Sequence, residues 1–452
     1  MITIGSMHIR GIAGKPATIA LVAAIVAAAL AINLAPHIWR ESKQAGASVQ
    51  VLGWGANNYG QTGNGTTEYR AIDPRSNVVA LDDVRQLALG LNHTIGLTSD
   101  GKVYGWGSNQ FGQIAQDKRL AQRPVPSLID NLPVVRQVAA SQDHSLALST
   151  DGTVWAWGLN IAGQLGDGSA EDRFRPAQVG GLRDVTQIAA GYRMSLALRR
   201  DGSVWAWGAD CQAQSRGGDF LATVSQLAAG GAYADAGTAS TTAGSYANIS
   251  PEEDCINEDV VGIGSRTPLR IKGLPRIRQV AAGFGHMVAL DEQGQVWAWG
   301  CNTYGQIGNG TVGRGTGANL TPSAVPGMTA VRQVAAGYRH TLILKEDGQL
   351  WAWGHNYSGE LGTGKEDDEN PIPAPVAGVP RIDSIAAGHD FSLALAKDGA
   401  LWGWGNGEAW QINDISGLHR TPQPVWSLQH IRSVASGGGH VAAITKASKA
   451  RP

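Results

Sequence analysis

The residues best able to do chemistry in this 452-residue chain are its histidines, since imidazole can ligate metals or transfer protons near neutral pH. Five histidines occupy the same position of a repeated sequence: His93, His144, His286, His340 and His440. Met194 and Phe391 hold this position in two further copies, so an imidazole is not required there. We therefore predict a structural role, in which each histidine bonds backbone within its own repeat.

A catalytic group should instead break the symmetry of the repeat. Six side chains do so: His355, Glu360, His389, Asp390, Glu408 and His419. None of them stands in a recognisable triad, carboxylate dyad or phosphate-binding loop. We therefore predict no catalytic residue, no metal ligand and no cofactor, and we expect a protein that is not an enzyme. A propeller lyase or hydrolase is the enzyme alternative.

These side chains are positioned by a repeat of about 50 residues. Its ending, Trp-Gly, recurs at Trp54, Trp106, Trp157, Trp207, Trp299, Trp353 and Trp404. Successive spacings are 52, 51, 50, 92, 54 and 51 residues, so the fourth repeat carries an insertion, at about 212–262. A period of this length is typical of solenoids and propellers.

Each repeat is expected to form a small antiparallel sheet. Large and small side chains alternate in Ser145–Leu148 and in Val154–Trp157, and Asp151-Gly152 between them is typical of a hairpin turn. The preceding Val-Ala-Ala segment has small side chains, as expected where strands crowd toward an axis. The sequence therefore predicts an all-β propeller built from such blades.

The two ends of the repeat region complete each other. The chain ends after Gly439–Ile444 without a Trp-Gly strand, whereas Val49–Gly55 is a Trp-Gly strand without a preceding partner. We predict that they share one blade and close a ring of seven blades.

With Ala-Ala-Gly-x-x-His-Ser-Leu-Ala-Leu, Asp-Gly, Val-Trp-Ala-Trp-Gly-x-Asn and Gly-Gln-Leu-Gly in seven copies over residues 49–446, the chain resembles the RCC1 (regulator of chromosome condensation) repeat family. The resemblance implies a seven-bladed β-propeller. It also implies two possible activities: guanine-nucleotide exchange on a small GTPase, and enzyme inhibition as in the similar secreted propellers that inhibit beta-lactamases.

The N-terminal region predicts a membrane connection. Residues 17–35 form an apolar stretch of 19 residues, enough to cross a bilayer as a helix of about 30 Å. Arg10 and Lys15 precede it, so residues 1–16 should remain cytoplasmic and the propeller should lie on the extracytoplasmic side. The alternative is a signal peptide cleaved after Ala45-Gly46-Ala47, which leaves a secreted or periplasmic protein. Residues 36–48 then form a tether and 447–452 a C-terminal tail.

Two cysteines flank the insertion. Cys211 and Cys255 are therefore candidates for a disulfide in an exported domain, which leaves Cys301 as a lone thiol.

The two residues just before the repeated histidine position differ from copy to copy, although the residues on either side of them are repeated. If they are the turns that leave the inner strands, they all lie at one end of the ring. Tyrosine and arginine are enriched in protein interfaces, so the predicted binding residues are Tyr192, Arg193, Phe284, Tyr338, Arg339, His389 and Asp390. The alternative is that they only fill turns.

The favoured function is a non-catalytic, membrane-tethered and exported scaffold that binds a protein, or less favourably a glycan, through loops on one face. A formal net charge of −1 argues against a nucleic-acid partner. We expect a monomeric propeller.

Overall fold

The computed structural model describes residues 49–209, 265–313, 320–365 and 367–446. These residues form seven four-stranded antiparallel sheets and one short 3-10 helix, Pro74–Ser76. The inner strands of successive sheets contact one another, including the last with the first, so the sheets are the blades of a closed ring. The predicted seven-bladed all-β propeller is confirmed.

The blades are numbered by their Trp-Gly strand, and the four strands of each are called inner, second, third and outer. Blade 1 consists of Ile431–Ser436, His440–Thr445, Val51–Gly55 and Val78–Val79; blade 2 of Val84–Leu89, His93–Thr98, Val103–Ser108 and Gln122–Leu128; blade 3 of Val135–Ser141, His144–Ser149, Val154–Gly158 and Arg173–Gln178; blade 4 of Val185–Ala190, Met194–Arg199, Val204–Gly208 and Ser265–Arg270. Blade 5 consists of Ile277–Ala282, His286–Asp291, Val296–Gly300 and Ser323–Ala324; blade 6 of Val331–Ala336, His340–Lys345, Leu350–His355 and Glu369–Pro375; blade 7 of Ile382–Ala387, Phe391–Ala396, Leu401–Asn406 and Leu418–Pro424.

Blade 1 joins the two ends of the described chain. The strand Val51–Gly55 pairs antiparallel with His440–Thr445 over five residue pairs, from Val51 with Ile444 to Gly55 with His440. The predicted shared blade is therefore confirmed. It leaves the ring without an unpaired inner edge.

The tryptophans of the Trp-Gly pairs form the packing between blades. Trp157 is fully buried in an apolar cluster with Ile95 and Leu97 of blade 2. Its Nε1 donates to the carbonyl of Gln113, in the loop after the third strand of blade 2, at 2.9 Å. Gly158 follows at φ +103°, and a Cβ there would lie 2.5 Å from the carbonyl oxygen of Asp143. The Trp-Gly signature therefore combines an indole between blades with a left-handed residue that only glycine accommodates.

A ladder of glutamines ties five of the seven inner strands to the next. The side chain of Gln137 in blade 3 receives the N–H of Ile188 and donates to its carbonyl, both at 3.0 Å, so it completes the backbone bonding of blade 4. The same two-bond contact is made by Gln86, Gln187, Gln279 and Gln333. The ladder joins five consecutive pairs of blades, from blade 2 to blade 7.

We expect Gln137→Ala to lower the free energy of unfolding by about 1–3 kcal/mol, because it leaves the amide and carbonyl of Ile188 without their partner. Gln178→Ala is the matched control, since Gln178 lies exposed on the outer strand of the same blade. The free energies come from urea unfolding followed by tryptophan fluorescence. Equal losses in the two variants would show that the ladder contributes nothing specific.

Several predictions from sequence lie outside the described residues. They are the membrane segment 17–35, the tether, the C-terminal tail, the insertion and the pair Cys211–Cys255. Among the residues that the structure describes, no helix is long and apolar enough to span a bilayer. Cys301 is buried and disulfide-bonded, so the expectation of a lone thiol there is wrong. Its partner is not among the described residues.

Candidate functional site

The turns that follow the inner strands lie side by side at one end of the ring. The N–H of Tyr338 in blade 6 donates to the carbonyl of Gly388 in blade 7 at 3.1 Å, and the N–H of Phe284 in blade 5 donates to the carbonyl of Tyr338 at 2.9 Å. Tyr192 and His389 make the same kind of bond to the following blade. The turns of blades 4 to 7 are thus each hydrogen-bonded to the turn of the following blade.

Four of these turns carry an unbroken run of rings in contact, here called the aromatic rim: Tyr192, Phe284, Tyr338 and His389. Ring centroids are 4.3 Å apart between Tyr192 and Phe284 and between Phe284 and Tyr338. The ring of Tyr338 stacks on the imidazole of His389 at 3.6 Å and 19°. The rings are all partly exposed, so the rim offers a preordered aromatic surface spanning blades 4 to 7.

Two arginines accompany the rim. The guanidinium of Arg339 lies 5.3 Å from the ring centroid of Phe284, 5.1 Å from that of Tyr338 and 4.9 Å from that of Tyr304. Its Nη1 also donates to the hydroxyl of Tyr304 at 3.2 Å, and the residue is only 7% exposed. Arg193 lies 5.0 Å from the ring centroid of Tyr192 and is more exposed. Both are therefore held by cation–π contacts.

Beside the rim, two imidazoles face two carboxylates. The Nδ1 of His389 is 2.8 Å from the Oδ2 of Asp390, and the Nδ1 of His355 is hydrogen-bonded to the Oε1 of Glu360. Burial by itself would raise the pKa of Asp390, but the neighbouring imidazoles of His389 and His355 reverse this and hold the pKa at about 2. For His355, burial lowers the pKa, but the hydrogen bond and charge of Glu360 outweigh it, so the pKa is raised.

All seven residues predicted to bind a partner belong to this one connected group. The structure adds Tyr304, His355 and Glu360. The hydroxyl of Tyr304 accepts a hydrogen bond from Arg339, and its ring contacts that of His355 at 4.6 Å. The sequence signal for Glu360 is its place in the repeat, where other copies have glutamine. Glu408 is exposed and His419 bonds the carbonyl of Ile415, so neither belongs to the group.

The repeated histidines have a structural role, but their partners differ from those expected. The Nε2 of His93 in blade 2 lies 2.9 Å from the hydroxyl of Ser145 in blade 3, and that hydroxyl donates to the carbonyl of Gln113 at 2.8 Å. The other four bond in the same way: His144 with Ser195, His286 with Thr341, His340 with Ser392 and His440 with Thr94. The prediction of a backbone bond within one blade is wrong, because the ring points sideways across the junction.

The direction of these bonds follows from the hydroxyl. A serine hydroxyl has one hydrogen, and that of Ser145 is donated to Gln113, so we infer that Nε2 of His93 carries the hydrogen it donates to Ser145. The imidazole lies so close to the inner strand that a Cβ on Gly337, beside His340, would be 2.2 Å from its Cε1. Glycine therefore precedes the turn in six blades, whereas blade 3 has Ser141 there.

The two copies without histidine are compensated in the next blade. Met194 in blade 4 faces Met287 in blade 5, and Phe391 in blade 7 faces Val441 in blade 1, each pair within one apolar cluster. Where the imidazole is absent, the hydroxyl is absent too. Histidine thus faces serine or threonine, and an apolar residue faces an apolar residue, which is visible only when neighbouring blades are compared.

Seven blades of one repeat, closed by a blade shared between the chain ends and bearing a rim of turns at one end, define a repeat β-propeller with a candidate binding face. The chain belongs to the Regulator of chromosome condensation (RCC1) repeat family. The repeat matches residues 50–97, 100–148, 151–198, 293–344 and 347–395. A second description of the same repeat matches 84–113, 135–164, 185–214, 277–306, 331–360 and 382–409.

Similar proteins include the Ultraviolet-B receptor UVR8 of Arabidopsis thaliana, 26% identical over 85% of this chain and 80% of that protein. The Regulator of chromosome condensation of Xenopus laevis is 26% identical over 89% and 78% of the two chains. Among solved structures, Prp20p from Saccharomyces cerevisiae has a TM-score of 0.69 at 22% identity and covers 89% of this chain and 92% of its own. At that identity the likeness shows the fold alone.

Proposed function

We propose that this chain is a non-catalytic binding propeller that takes a protein partner on the aromatic rim. The observation that carries the proposal is the run of contacting rings from Tyr192 to His389, flanked by Arg193 and Arg339. Aromatic and arginine side chains dominate binding energy in protein interfaces, and rings fixed in place lose little conformational entropy on binding. Prp20p, which has the same fold, binds Gsp1p and histones.

The position of the contact is tested by photo-crosslinking the full chain in its native cells. A benzoylphenylalanine at position 284 samples the rim, and the same residue at position 372, 69% exposed on an outer strand, is the matched control. We expect one dominant protein adduct from position 284 and none of that mass from position 372. Adducts of equal yield from both positions, or only from position 372, would contradict a partner on the rim.

We expect Tyr338→Ala to weaken partner binding about 30-fold, which corresponds to about 2 kcal/mol for an interface hot spot. The change removes the ring that contacts Phe284, His389 and Arg339. Once the adduct identifies the partner, its affinity is measured by calorimetry, with Ile372→Ala as control. An unchanged affinity of Tyr338→Ala with unchanged thermal stability would remove the rim from the interface.

We also propose that the propeller is exported and membrane-tethered, on the basis of the apolar stretch 17–35 and the preceding Arg10 and Lys15. The test is protease access to a C-terminally tagged full chain, before and after the outer barrier of the cell is opened. Protection in intact cells followed by cleavage after opening supports export. A soluble cytosolic product would overturn this proposal and favour guanine-nucleotide exchange on a small GTPase.

A further inference from the structure

Three side chains at the junction of blades 6 and 7 form a cluster of metal-ligand type: His355, Glu360 and Asp390. One ligand atom of each lies within 4.8 Å of the other two. Glu360 is almost fully buried, and the side chains of His355 and Asp390 are 15% and 20% exposed. Two carboxylates and an imidazole thus converge at a largely buried position beside the aromatic rim.

Glu360 is not needed as a carboxylate by the scaffold. The equivalent position is glutamine in five other described repeats: Gln61, Gln113, Gln164, Gln306 and Gln411. In each of these, one side-chain oxygen accepts the N–H two residues earlier, and in Glu360 the Oε2 accepts the N–H of Ser358 in the same way. The second oxygen, Oε1, is therefore extra to the scaffold, and it faces His355. An ionised carboxylate buried this deeply requires a compensating charge.

The partner of Asp390 also differs from that of its counterpart in the repeat. In blade 3 the equivalent residue is Asp143, whose Oδ1 accepts the side-chain amide of Gln113 at 3.0 Å. The residue in the place of Gln113 is here Glu360, which has no amide hydrogen to donate. Two carboxylates therefore meet where blade 3 pairs a carboxylate with an amide, and two negative charges at this distance favour a cation between them. The imidazoles of His355 and His389 each hydrogen-bond to one of these carboxylates.

We propose that His355, Glu360 and Asp390 bind a divalent transition-metal ion, with Zn²⁺ the best match to their ligand chemistry. Zn²⁺ is bound by histidine nitrogens and by aspartate and glutamate oxygens, and its open sites use three protein ligands, with a fourth position for water or another ligand. The two carboxylates balance the charge of a dication. At bond lengths of about 2.0–2.2 Å, the ligand atoms of a tetrahedral ion lie about 3.4 Å apart, so binding moves Nδ1 of His355 and Oε1 of Glu360 apart from their hydrogen-bonded distance and draws Asp390 toward them. The ion displaces the hydrogen shared between His355 and Glu360.

The site lies next to the rim, because Asp390 adjoins His389 and His355 contacts Tyr304. Arg339 is held nearby by the rings, so its positive charge opposes the metal and sets a limit on affinity. The proposal does not depend on the identity of the protein partner. It adds an ion to the surface at which that partner is expected.

The test is equilibrium dialysis of the full chain against Zn²⁺, after chelator treatment and with a tag that contains no histidine. We expect the wild type to bind one ion per chain and Glu360→Gln, which restores the residue of the repeat, to weaken binding at least tenfold. Asp143→Asn is the matched control and should bind as the wild type does. Thermal melting in chelator establishes that each variant is folded, and Zn²⁺ should raise the melting temperature of the wild type but not that of Glu360→Gln.

A second readout is the visible absorption of bound Co²⁺, which reports the coordination sphere directly. We expect a four- or five-coordinate spectrum from the wild type that is lost in Glu360→Gln and in Asp390→Asn. Zn²⁺ binding of equal affinity in the wild type and folded Glu360→Gln would place the ion elsewhere. No binding by the wild type at micromolar Zn²⁺ would leave His355 and Glu360 as an ion pair only and overturn the proposal.

Discussion

We expect the propeller to unfold in one cooperative acid transition between about pH 6 and pH 4, because the histidines at its blade junctions are buried as neutral groups. Burial lowers the pKa of His93, His144, His340 and His440 from 6.5 to about 3 and that of His286 to about 4. The stability that these groups contribute is therefore fully present above pH 6.5. It is lost as the pH falls toward their folded pKa values, since only the unfolded chain takes up the protons.

The buried carboxyl of Asp143 acts in the opposite sense. Burial raises the pKa of Asp143 to about 7, so the folded protein takes up a proton at this carboxyl before the unfolded chain does. Unfolding near pH 5 should then consume about four protons, and each contributes about 1.4 kcal/mol per pH unit, for a slope of about 5 kcal/mol per unit. A domain has a free energy of unfolding of about 5–15 kcal/mol, so a slope of this size is enough to unfold it within a few pH units.

The slope is measured by urea unfolding at several pH values, with tryptophan fluorescence and near-ultraviolet circular dichroism as probes. Coincident transitions by both probes would support a two-state change. A free energy of unfolding that is flat, or that rises as the pH falls from 6.5 to 4, would show that the junction histidines are not held neutral.

Removal of one junction imidazole is expected to have the second large effect. His93→Ala should lower the free energy of unfolding by about 3 kcal/mol, because it leaves a cavity between blades 2 and 3 and deletes the bond to Ser145. The protein itself offers a rescue. At the junction of blades 7 and 1, Phe391 packs with Val441 while the carbonyl of Gln411 still accepts the indole of Trp54.

The double variant His93→Phe with Ser145→Val copies that apolar junction. We expect it to restore the free energy of unfolding to within about 1 kcal/mol of the wild type, because Gly90 leaves the same space beside residue 93 that Gly388 leaves beside Phe391. It should also lower by one the number of protons that the chain takes up when it unfolds in acid. A double variant less stable than His93→Ala would mean that the junction types are not interchangeable.

Much of the fold was predictable from the sequence because a propeller repeats local information. The alternation in Val154–Trp157 and the turn at Asp151-Gly152 are properties of neighbouring residues, and they predicted the hairpin that forms. The unmatched strands at the two ends predicted the shared blade. The varying dipeptides before the histidine position predicted the turns that carry the rim, since every blade places these turns at the same end.

Contacts between blades were not predictable in this way. His93 and Ser145 are 52 residues apart, and nothing in either repeat states that the imidazole turns toward the next blade rather than toward its own backbone. The expected role of the histidines was correct and their partner was not. The lone thiol expected at Cys301 failed for the same reason, because pairing of cysteines depends on where distant segments pass.

The sequence by itself determined the seven-bladed ring, its closure and the turns that face one end, because period and alternation are encoded in each repeat. Only the tertiary structure decided that Tyr192, Phe284, Tyr338 and His389 contact one another in one rim, and that His355, Glu360 and Asp390 meet beside it. Read along the chain, His355 and Glu360 are isolated departures from the repeat, and Asp390 matches Asp143 of blade 3. The three residues meet because blades 6 and 7 pack side by side. This packing brings together the third strand of blade 6 with His355, the following loop with Glu360, and the turn of blade 7 with Asp390.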